Sequence, residues 1–123
     1  PGVSDRIRVI SVIGRFLEHS RAFYFLNGGA EEVYIGSADW MPRNLDRRIE
    51  AVAPVLDPVH RASIRDQVNL MWQDNRQAWE LGADGHYTQR QPASPELELA
   101  THRVLVESHR ETGRSGEFPI PTR

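Results

Sequence analysis

The sequence predicts one α/β domain, with strands mainly in its first half and helices in its second. Three short runs at 7–13, 22–26 and 32–35 are rich in β-branched and aromatic residues, which is typical of strands. Later in the chain, apolar residues recur at helical spacing after an Asp-Pro and a Ser-Pro pair, both common helix starts. A length of 123 residues leaves room for one domain.

A β-hairpin over about residues 20–37 is the clearest local prediction. The sequence Asn-Gly-Gly at 27–29 separates two strand-like runs, and all three residues tolerate a positive φ. Further short strands are expected over 48–53 and 86–90. The strands are expected to form one mixed sheet that packs against two main helices.

The two helices are predicted over about residues 57–81 and 94–110. Each begins with a residue that can cap free amides followed by a proline suited to the first helical position. The spacing of the apolar residues favours core packing of the two tryptophans over a cofactor role. In the first helix these residues are Ile64, Val68, Met71, Trp72 and Trp79.

The domain is expected to comprise residues 1–111, followed by a frayed or disordered tail of residues 112–123 that contains two glycines and two prolines. Because the first residue is Pro rather than Met, we expect the chain to be part of a longer protein. No apolar run approaches the roughly 20 residues of a transmembrane segment, and the start does not resemble a secretory signal.

Composition excludes some classes of function. There is no cysteine, so disulfides and cysteine metal sites are excluded, and a reducing, cytoplasmic location is expected, with peripheral membrane attachment left open. A net charge of −2 argues against a broad nucleic-acid surface. All 15 basic residues are Arg, whose planar fork suits phosphate, although a GC-rich genome explains the same bias.

Two polar clusters flank the predicted hairpin. The first precedes its first strand and contains His19 and Arg21, and the second follows its return strand and contains Ser37, Asp39 and Arg43. A hairpin brings the start of one strand beside the end of the other, so the first four of these residues are expected to share one edge of the sheet. The remaining histidines are expected at the surface: His60, His86, His102 and His109.

This combination of side chains suits phosphoryl transfer. Arg21 and Arg43 supply positive charge for phosphate oxygens, and His19 can exchange a proton near neutral pH. The turn at Ser37 offers a hydroxyl and amides as donors. Asp39 cannot bind phosphate directly, but it could orient His19 or an arginine. From spacing alone, surface roles for His19 and Arg43 stay open.

The two clusters also resemble a relaxed phospholipase D-type motif. That superfamily carries His-x-Lys-x4-Asp and, downstream, Gly-Ser-x-Asn. Here residues 19–21 read His-Ser-Arg and residues 36–39 read Gly-Ser-Ala-Asp. Arg21 therefore stands for the Lys, Asp39 for the Asn, and Leu26 occupies the position of the motif's Asp. These departures argue against a free-standing phosphodiesterase.

Longer strings resemble the last domain of the bacterial polyphosphate kinase family. Residues 7–21, IRVISVIGRFLEHSR, resemble the start of that domain, and residues 34–50, YIGSADWMPRNLDRRIE, resemble its second signature. Residues 74–79, DNRQAW, are also similar. The resemblance covers about residues 6–90 and implies a phospholipase D-like fold.

The resemblance implies reversible transfer of the terminal phosphate of ATP to inorganic polyphosphate, with Mg²⁺. It also implies two facing phospholipase D-like domains, with a phosphohistidine on the first and the Mg²⁺-binding residues outside this chain. His19 matches the second domain's histidine, which contacts nucleotide phosphates or transfers a proton. Arg21, Ser37 and Arg43 are then expected to contact phosphate, Asp39 to orient, and no metal to bind this chain.

The chain is therefore expected to supply one half of a site and to be inactive alone. Its partners would be ATP or ADP, polyphosphate and the upstream domains of a full-length, self-associating chain. Two alternatives stay open. One is a phospholipase D-like phosphodiesterase that acts as a dimer, and the other is a non-catalytic module that binds polyphosphate or nucleotide.

Overall fold

The structure is a computed structural model that describes Ser4 and residues 6–115, with side chains described as far as Arg110. The chain forms two compact units. One, here called the hairpin unit, comprises Glu18–Val68, and the other, the terminal unit, comprises Pro1–Leu17 together with Asn69–Arg123.

Strands and helices are interspersed along the chain, in agreement with an α/β class. The elements in order are β1 (Ile10–Val12), β2 (Ala22–Phe25), β3 (Glu32–Gly36), α1 (Pro42–Arg47), β4 (Val52–Pro54), α2 (Pro58–Gln73), β5 (Ala78–Leu81), β6 (Tyr87–Gln89) and α3 (Thr101–Ser115). None of the described helices has the length and apolar content that a bilayer crossing requires.

The described strands form two three-stranded sheets, so the expectation of one mixed sheet is wrong. The order is β2-β3-β4 in the hairpin unit and β1-β5-β6 in the terminal unit. Every pairing between these described strands is antiparallel. A parallel pair needs a long crossover, whereas tight turns join β2 to β3 and β5 to β6 and favour antiparallel neighbours.

The predicted hairpin is confirmed. β2 pairs with β3 over four residues, from Ala22 opposite Ile35 to Phe25 opposite Glu32. The turn between them is a 3-10 turn at Asn27–Gly29. Its three residues have φ values of 43°, 63° and 101°, the left-handed region that Asn and Gly tolerate best. The turn chemistry therefore sets the hairpin as the sequence indicates.

The other predicted strands exist but are shorter or displaced. The strand expected over 7–13 is limited to β1, the one expected over 48–53 is β4 at Val52–Pro54, and the one expected over 86–90 is β6. Each strand extends only as far as it finds a partner. β4, for example, is defined by pairing with Tyr34, Ile35 and Gly36 of β3.

The first long helix starts as predicted but ends early. The Asp57 Oδ1 atom accepts hydrogen bonds from the amides of Val59 at 2.8 Å and His60 at 3.1 Å, so Asp57 caps the helix. α2 nevertheless ends at Gln73, and the predicted extension to residue 81 is wrong. Residues 78–81 form β5 instead.

The buried carboxylate of Asp74 explains this early end. Its Oδ1 atom accepts hydrogen bonds from the amides of Arg76 at 2.9 Å, Gln77 at 2.6 Å and Ala78 at 3.0 Å. A side chain that binds the next amides along the chain competes with the helical hydrogen bonds of the main chain. The chain therefore turns at Asp74 and enters β5, where Trp79 pairs with Ser11 and Gln89.

The second helix also begins later than predicted. Ser94 and Pro95 start only a 3-10 turn at Pro95–Leu97, and α3 begins at Thr101. Asp74 Oδ2 accepts from the Thr101 amide at 2.7 Å, and Gln77 Oε1 accepts from the next amide at 3.1 Å. These distant side chains satisfy the free amides that a helix start needs.

The end of the chain lies partly beyond the described residues. α3 continues to Ser115, into the tail predicted from Thr112. The rest of that predicted tail, residues 116–123, lies outside the described residues.

Two residues of the terminal unit differ from expectation in their burial. Trp72, predicted in the core, is 41% exposed, and its ring contacts the guanidinium groups of Arg8 and Arg90 at 5.4 and 6.0 Å. His102, predicted at the surface, is 5% exposed, and its ring packs 5.6 Å from that of Phe16. Gly14 makes this possible, because an added Cβ would collide with the His102 ring.

The Asp74 network predicts a pH-dependent contribution to stability. Burial alone raises the pKa of Asp74, but hydrogen bonds from Thr101, Gln77 and Arg76 outweigh it and hold the pKa below its ordinary value. We expect Asp74→Asn to lower the free energy of unfolding at pH 7 by about 2–4 kcal/mol, because an amide leaves main-chain donors unpaired. Urea unfolding followed by circular dichroism measures this.

Only ionised Asp74 accepts all of these hydrogen bonds. The stabilisation is therefore fully present above the unfolded pKa of about 4, and it is lost as the pH falls through the folded pKa. The difference between wild type and Asp74→Asn should therefore shrink in acid. Asp46→Asn, a change at an exposed aspartate of α1, is the matched control and should stay within about 0.5 kcal/mol of wild type. Equal stability of Asp74→Asn and wild type at pH 7 would contradict the assignment.

Candidate functional site

The pairing of the strands brings both predicted clusters to one edge of the hairpin unit. The Gly36 amide donates to the Arg21 carbonyl at 2.9 Å, and the Ser37 amide donates to the Ala51 carbonyl at 3.0 Å. The start of β2, the end of β3 and the start of β4 therefore lie side by side. We call this the hairpin edge, and its polar residues are His19, Arg21, Ser37, Asp39, Asn44 and Glu50.

Arg21 and Asp39 form an ion pair at the hairpin edge. The Nε and Nη2 atoms of Arg21 lie 2.7 and 2.6 Å from the same oxygen, Asp39 Oδ1. A third nitrogen, Nη1, donates to the His19 carbonyl at 2.6 Å. The Arg21 side chain is 24% exposed, so the pair is partly shielded from solvent. Of the two partners expected for Asp39, the structure thus selects the arginine.

His19 presents its imidazole to solvent. The residue is exposed, and its described contact is through the main-chain carbonyl that Arg21 binds. Neighbouring Ser20 directs its hydroxyl away, to Glu18 Oε2 at 3.0 Å. The ring is therefore open to a ligand or to another protein surface, while the backbone that carries it is held.

Ser37 contacts a carboxylate that sequence reasoning missed. Its hydroxyl donates to Glu50 Oε2 at 2.5 Å and accepts from the Ala51 amide at 3.1 Å. The other oxygen of Glu50 accepts from Asn44 Nδ2 at 2.8 Å. Asn44 is only 3% exposed. The three side chains together tie the loop after β3 to the strand that follows it.

The surroundings of Glu50 favour its charged form. Hydrogen bonds from Ser37 and Asn44, opposed by partial desolvation and aided by the charges of Arg48 and Arg21, hold the pKa of Glu50 below its ordinary value. Arg21 thus lies in the field of two carboxylates, those of Asp39 and Glu50. The hairpin edge is consequently a charge-balanced cluster and not a bare positive patch.

Aromatic packing shapes the same loop. The Trp40 ring stacks on that of Phe23, with centroids 6.1 Å apart and planes at 26°. A Cβ added at Gly36 would lie 3.3 Å from the Phe23 ring, so glycine lets the ring lie close to the backbone. Although Trp40 itself is 80% exposed, this contact anchors the residue after Asp39.

Arg43 is less constrained than Arg21. It is an exposed residue of α1, and its Nε atom makes only a long contact of 3.4 Å with Asn44 Oδ1. Most of its donors are therefore available to an anion. Among the described residues, no three His, Cys, Asp or Glu side chains come together as a metal site.

The fold and the hairpin edge define a class: an α/β domain with an exposed histidine beside arginine and carboxylate side chains at one sheet edge. Comparison with known proteins narrows this class. Residues 1–100 match the sequence model of polyphosphate kinase C-terminal domain 2. The chain therefore belongs to the polyphosphate kinase family.

Individual relatives agree with this assignment. The chain is 63% identical over 106 residues to a polyphosphate kinase of Thermosynechococcus vestitus, and 65% identical over 104 residues to one of Synechocystis. These matches cover 86% and 85% of this chain but 14% of each relative. The chain thus spans a small part of the length of the curated relatives it matches.

A solved structure is similar as well. The crystal structure of polyphosphate kinase from Porphyromonas gingivalis matches with a TM-score of 0.81 and 35% identity, over 90% of this chain and 17% of that one. This likeness confirms the predicted fold class, an α/β domain of the phospholipase D-like type.

The missed residues lie inside a string that sequence analysis had already singled out. Asn44 and Glu50 both belong to the signature at 34–50. Their side chains were overlooked because a lone Asn and a Glu in an Arg-rich run are typical of a solvated surface. Only the return of β4 beside β3 brings Glu50 back to Ser37.

The Ser37 hydroxyl should control the acidity of Glu50. We expect Ser37→Ala to raise the pKa of Glu50, because the strongest donor to its charged form is removed. Carboxyl ¹³C NMR over a pH titration measures the change. Ser20→Ala is the matched control, since Ser20 also donates to a glutamate of this unit. An unchanged Glu50 titration in Ser37→Ala would refute the contact.

Proposed function

We propose that this chain supplies one half of the site of an ATP:polyphosphate phosphotransferase, and that His19 is its catalytic residue. The observation that carries the proposal is an exposed histidine on a backbone held by Arg21, in a chain of the polyphosphate kinase family. The kinase activity itself is part of the proposal, because the chain corresponds to 14% of its relatives.

In the proposed reaction, the terminal phosphoryl group of ATP moves to the end of a polyphosphate chain. The bond from the γ-phosphorus to the bridging oxygen of ADP breaks, and a bond to a terminal polyphosphate oxygen forms. The reverse reaction regenerates ATP. Such a transfer depends mainly on positioning and on positive groups around the moving phosphoryl oxygens.

His19 is suited to act where the phosphoryl group passes. An imidazole can hold a proton near a phosphate oxygen or hand one over at neutral pH. Both roles require an accessible ring, and the His19 ring is exposed. Arg43, with most of its donors available, is the second group that we assign to phosphate.

The roles of Ser37 and Asp39 are more indirect. Ser37 can meet a phosphate only after its hydroxyl leaves Glu50, because a serine has one O–H to donate. Asp39 acts by holding Arg21, the orienting role expected for it. Arg21 lies beside the main chain of His19, and its described contacts are with Asp39 and the His19 carbonyl.

The remaining half of the site is assigned to upstream domains of a full-length kinase, as the family resemblance implies. We propose that the cofactor Mg²⁺ is held mainly by those upstream domains. Self-association of the full-length chain and a cytoplasmic location, with or without peripheral membrane contact, are further parts of the proposal.

A chimera tests the role of His19. This chain would replace the matching segment of the Thermosynechococcus vestitus polyphosphate kinase, and ATP-dependent polyphosphate synthesis would be measured. We expect His19→Ala to reduce kcat by roughly 10²-fold or more, the usual cost of removing a positioned acid, base or charge-stabilising group.

His60→Ala, a change at an exposed histidine of α2 in the same unit, is the matched control and should keep wild-type activity. Circular dichroism should show that both variants are folded. Near-normal synthesis by a folded His19→Ala chimera would refute the catalytic role.

The isolated chain should be folded but inactive. Under this proposal the isolated chain lacks half of the transfer site, so it cannot align a phosphoryl donor with an acceptor. The measurement is ATP consumption and polyphosphate formation by the purified 123-residue chain beside the active chimera. Turnover by the isolated chain that is lost on His19→Ala would show that it holds a complete site.

A further inference from the structure

Two of the three departures from the phospholipase D-type motif contact each other. Arg21 occupies the position of the motif's Lys and Asp39 that of its Asn, and these two side chains form the ion pair of the hairpin edge. We propose that Arg21 is a positioning residue, which acts through His19 and Asp39 and not as a phosphate ligand. This inference rests on the proposed function of His19.

The hydrogen bonds of the guanidinium group support this assignment. Nε donates to Asp39 Oδ1, Nη2 lies 2.6 Å from the same oxygen, and Nη1 donates to the His19 carbonyl. Each of the three nitrogens thus lies 2.6–2.7 Å from an acceptor within the hairpin unit, and these contacts fix the orientation of the guanidinium plane. A planar fork can serve two acceptors at fixed angles at once, whereas an ammonium group is a flexible point charge.

The charges point to the same role. A Lys beside a neutral Asn leaves a full positive charge for an anion. Here Arg21 is neutralised by Asp39 and also lies in the field of the Glu50 carboxylate. A phosphate oxygen that approached Arg21 would meet the Asp39 carboxylate at short range, and like charges repel where solvent is partly excluded.

The geometry gives this ion pair a mechanical role at His19. Arg21 joins the loop after β3, through Asp39, to the main chain just before β2, through the His19 carbonyl. These contacts hold the main chain of His19 while its imidazole stays exposed. We call the Arg21–Asp39 pair together with the His19 carbonyl the brace. The brace sets the direction in which the His19 ring projects and leaves that ring available to phosphate.

Three variants of the chimera separate a brace from a phosphate ligand: Arg21→Lys, Asp39→Asn and the double change, which recreates the Lys and Asn of the motif. Loss of the brace should lower kcat by roughly 10-fold or more in all three, because the catalytic group is misplaced. KM for ATP should stay within about twofold. The double variant should be no worse than either single one, since both remove the same interaction.

A phosphate ligand would behave differently. Arg21→Lys would keep the charge and retain most of the activity, Asp39→Asn would leave kcat unchanged or lower KM by freeing the arginine, and the double variant would be active. Any of these results would overturn the proposal. Arg65→Lys is the matched control, because Arg65 makes a comparable pair with Glu31 at 3.2 Å elsewhere in the unit, and it should keep wild-type kcat and KM.

A spectroscopic measurement on the 123-residue chain keeps the test independent of turnover. Asp39→Asn should shift the amide signals of His19 and Ser20 and the Nε–H signal of Arg21, while Arg65→Lys should leave all three in place. If the chimera proves inactive, the proposed function fails and these signals alone decide about the brace. Unchanged signals in Asp39→Asn would overturn it.

Discussion

The Asp74 carboxylate is the interaction on which most of the terminal unit depends. It is fully buried, and it accepts four main-chain hydrogen bonds, three from the residues that follow it and one from the start of α3. A single side chain thereby ends α2, aligns the entry into β5 and caps α3. Burial of Asp74 favours its neutral acid form. The hydrogen bonds from the surrounding amides replace the stabilisation that water gives an exposed carboxylate.

The hairpin unit depends on a different kind of constraint, the register of an antiparallel sheet. β3 is paired on both sides, so residues far apart in sequence meet at the same edge. The polar groups there balance one another: Asp39 holds Arg21, and Ser37 and Asn44 hold Glu50. His19 and Arg43 are left with their functional groups exposed. This division between held and open side chains is what a site needs if it is completed by another surface.

Local chemistry explains which elements could be predicted. The Asn-Gly-Gly turn, with its positive φ values, and the Asp57 cap act over a few residues, and both were recognised. The end of α2 was not, because the apolar spacing that continues to Trp79 is compatible with a helix until Asp74 is buried against Thr101. The start of α3 was misplaced for the same reason, since its caps come from residues 74 and 77 rather than from Ser94. Burial of His102 depends on space that Gly14 leaves in a separate segment.

For the candidate site, the sequence by itself determined the family, the fold class and the hairpin, because these depend on contiguous strings and a short-range turn. It also proposed the residues His19, Arg21, Ser37, Asp39 and Arg43. Only the tertiary structure decided how those residues are paired. Asp39 faces Arg21 and not the His19 ring, and Ser37 faces Glu50, which no local pattern distinguished. The physical reason is that a side chain's role depends on the acceptors and charges within about 4 Å, and here strand pairing supplies them from across the sheet.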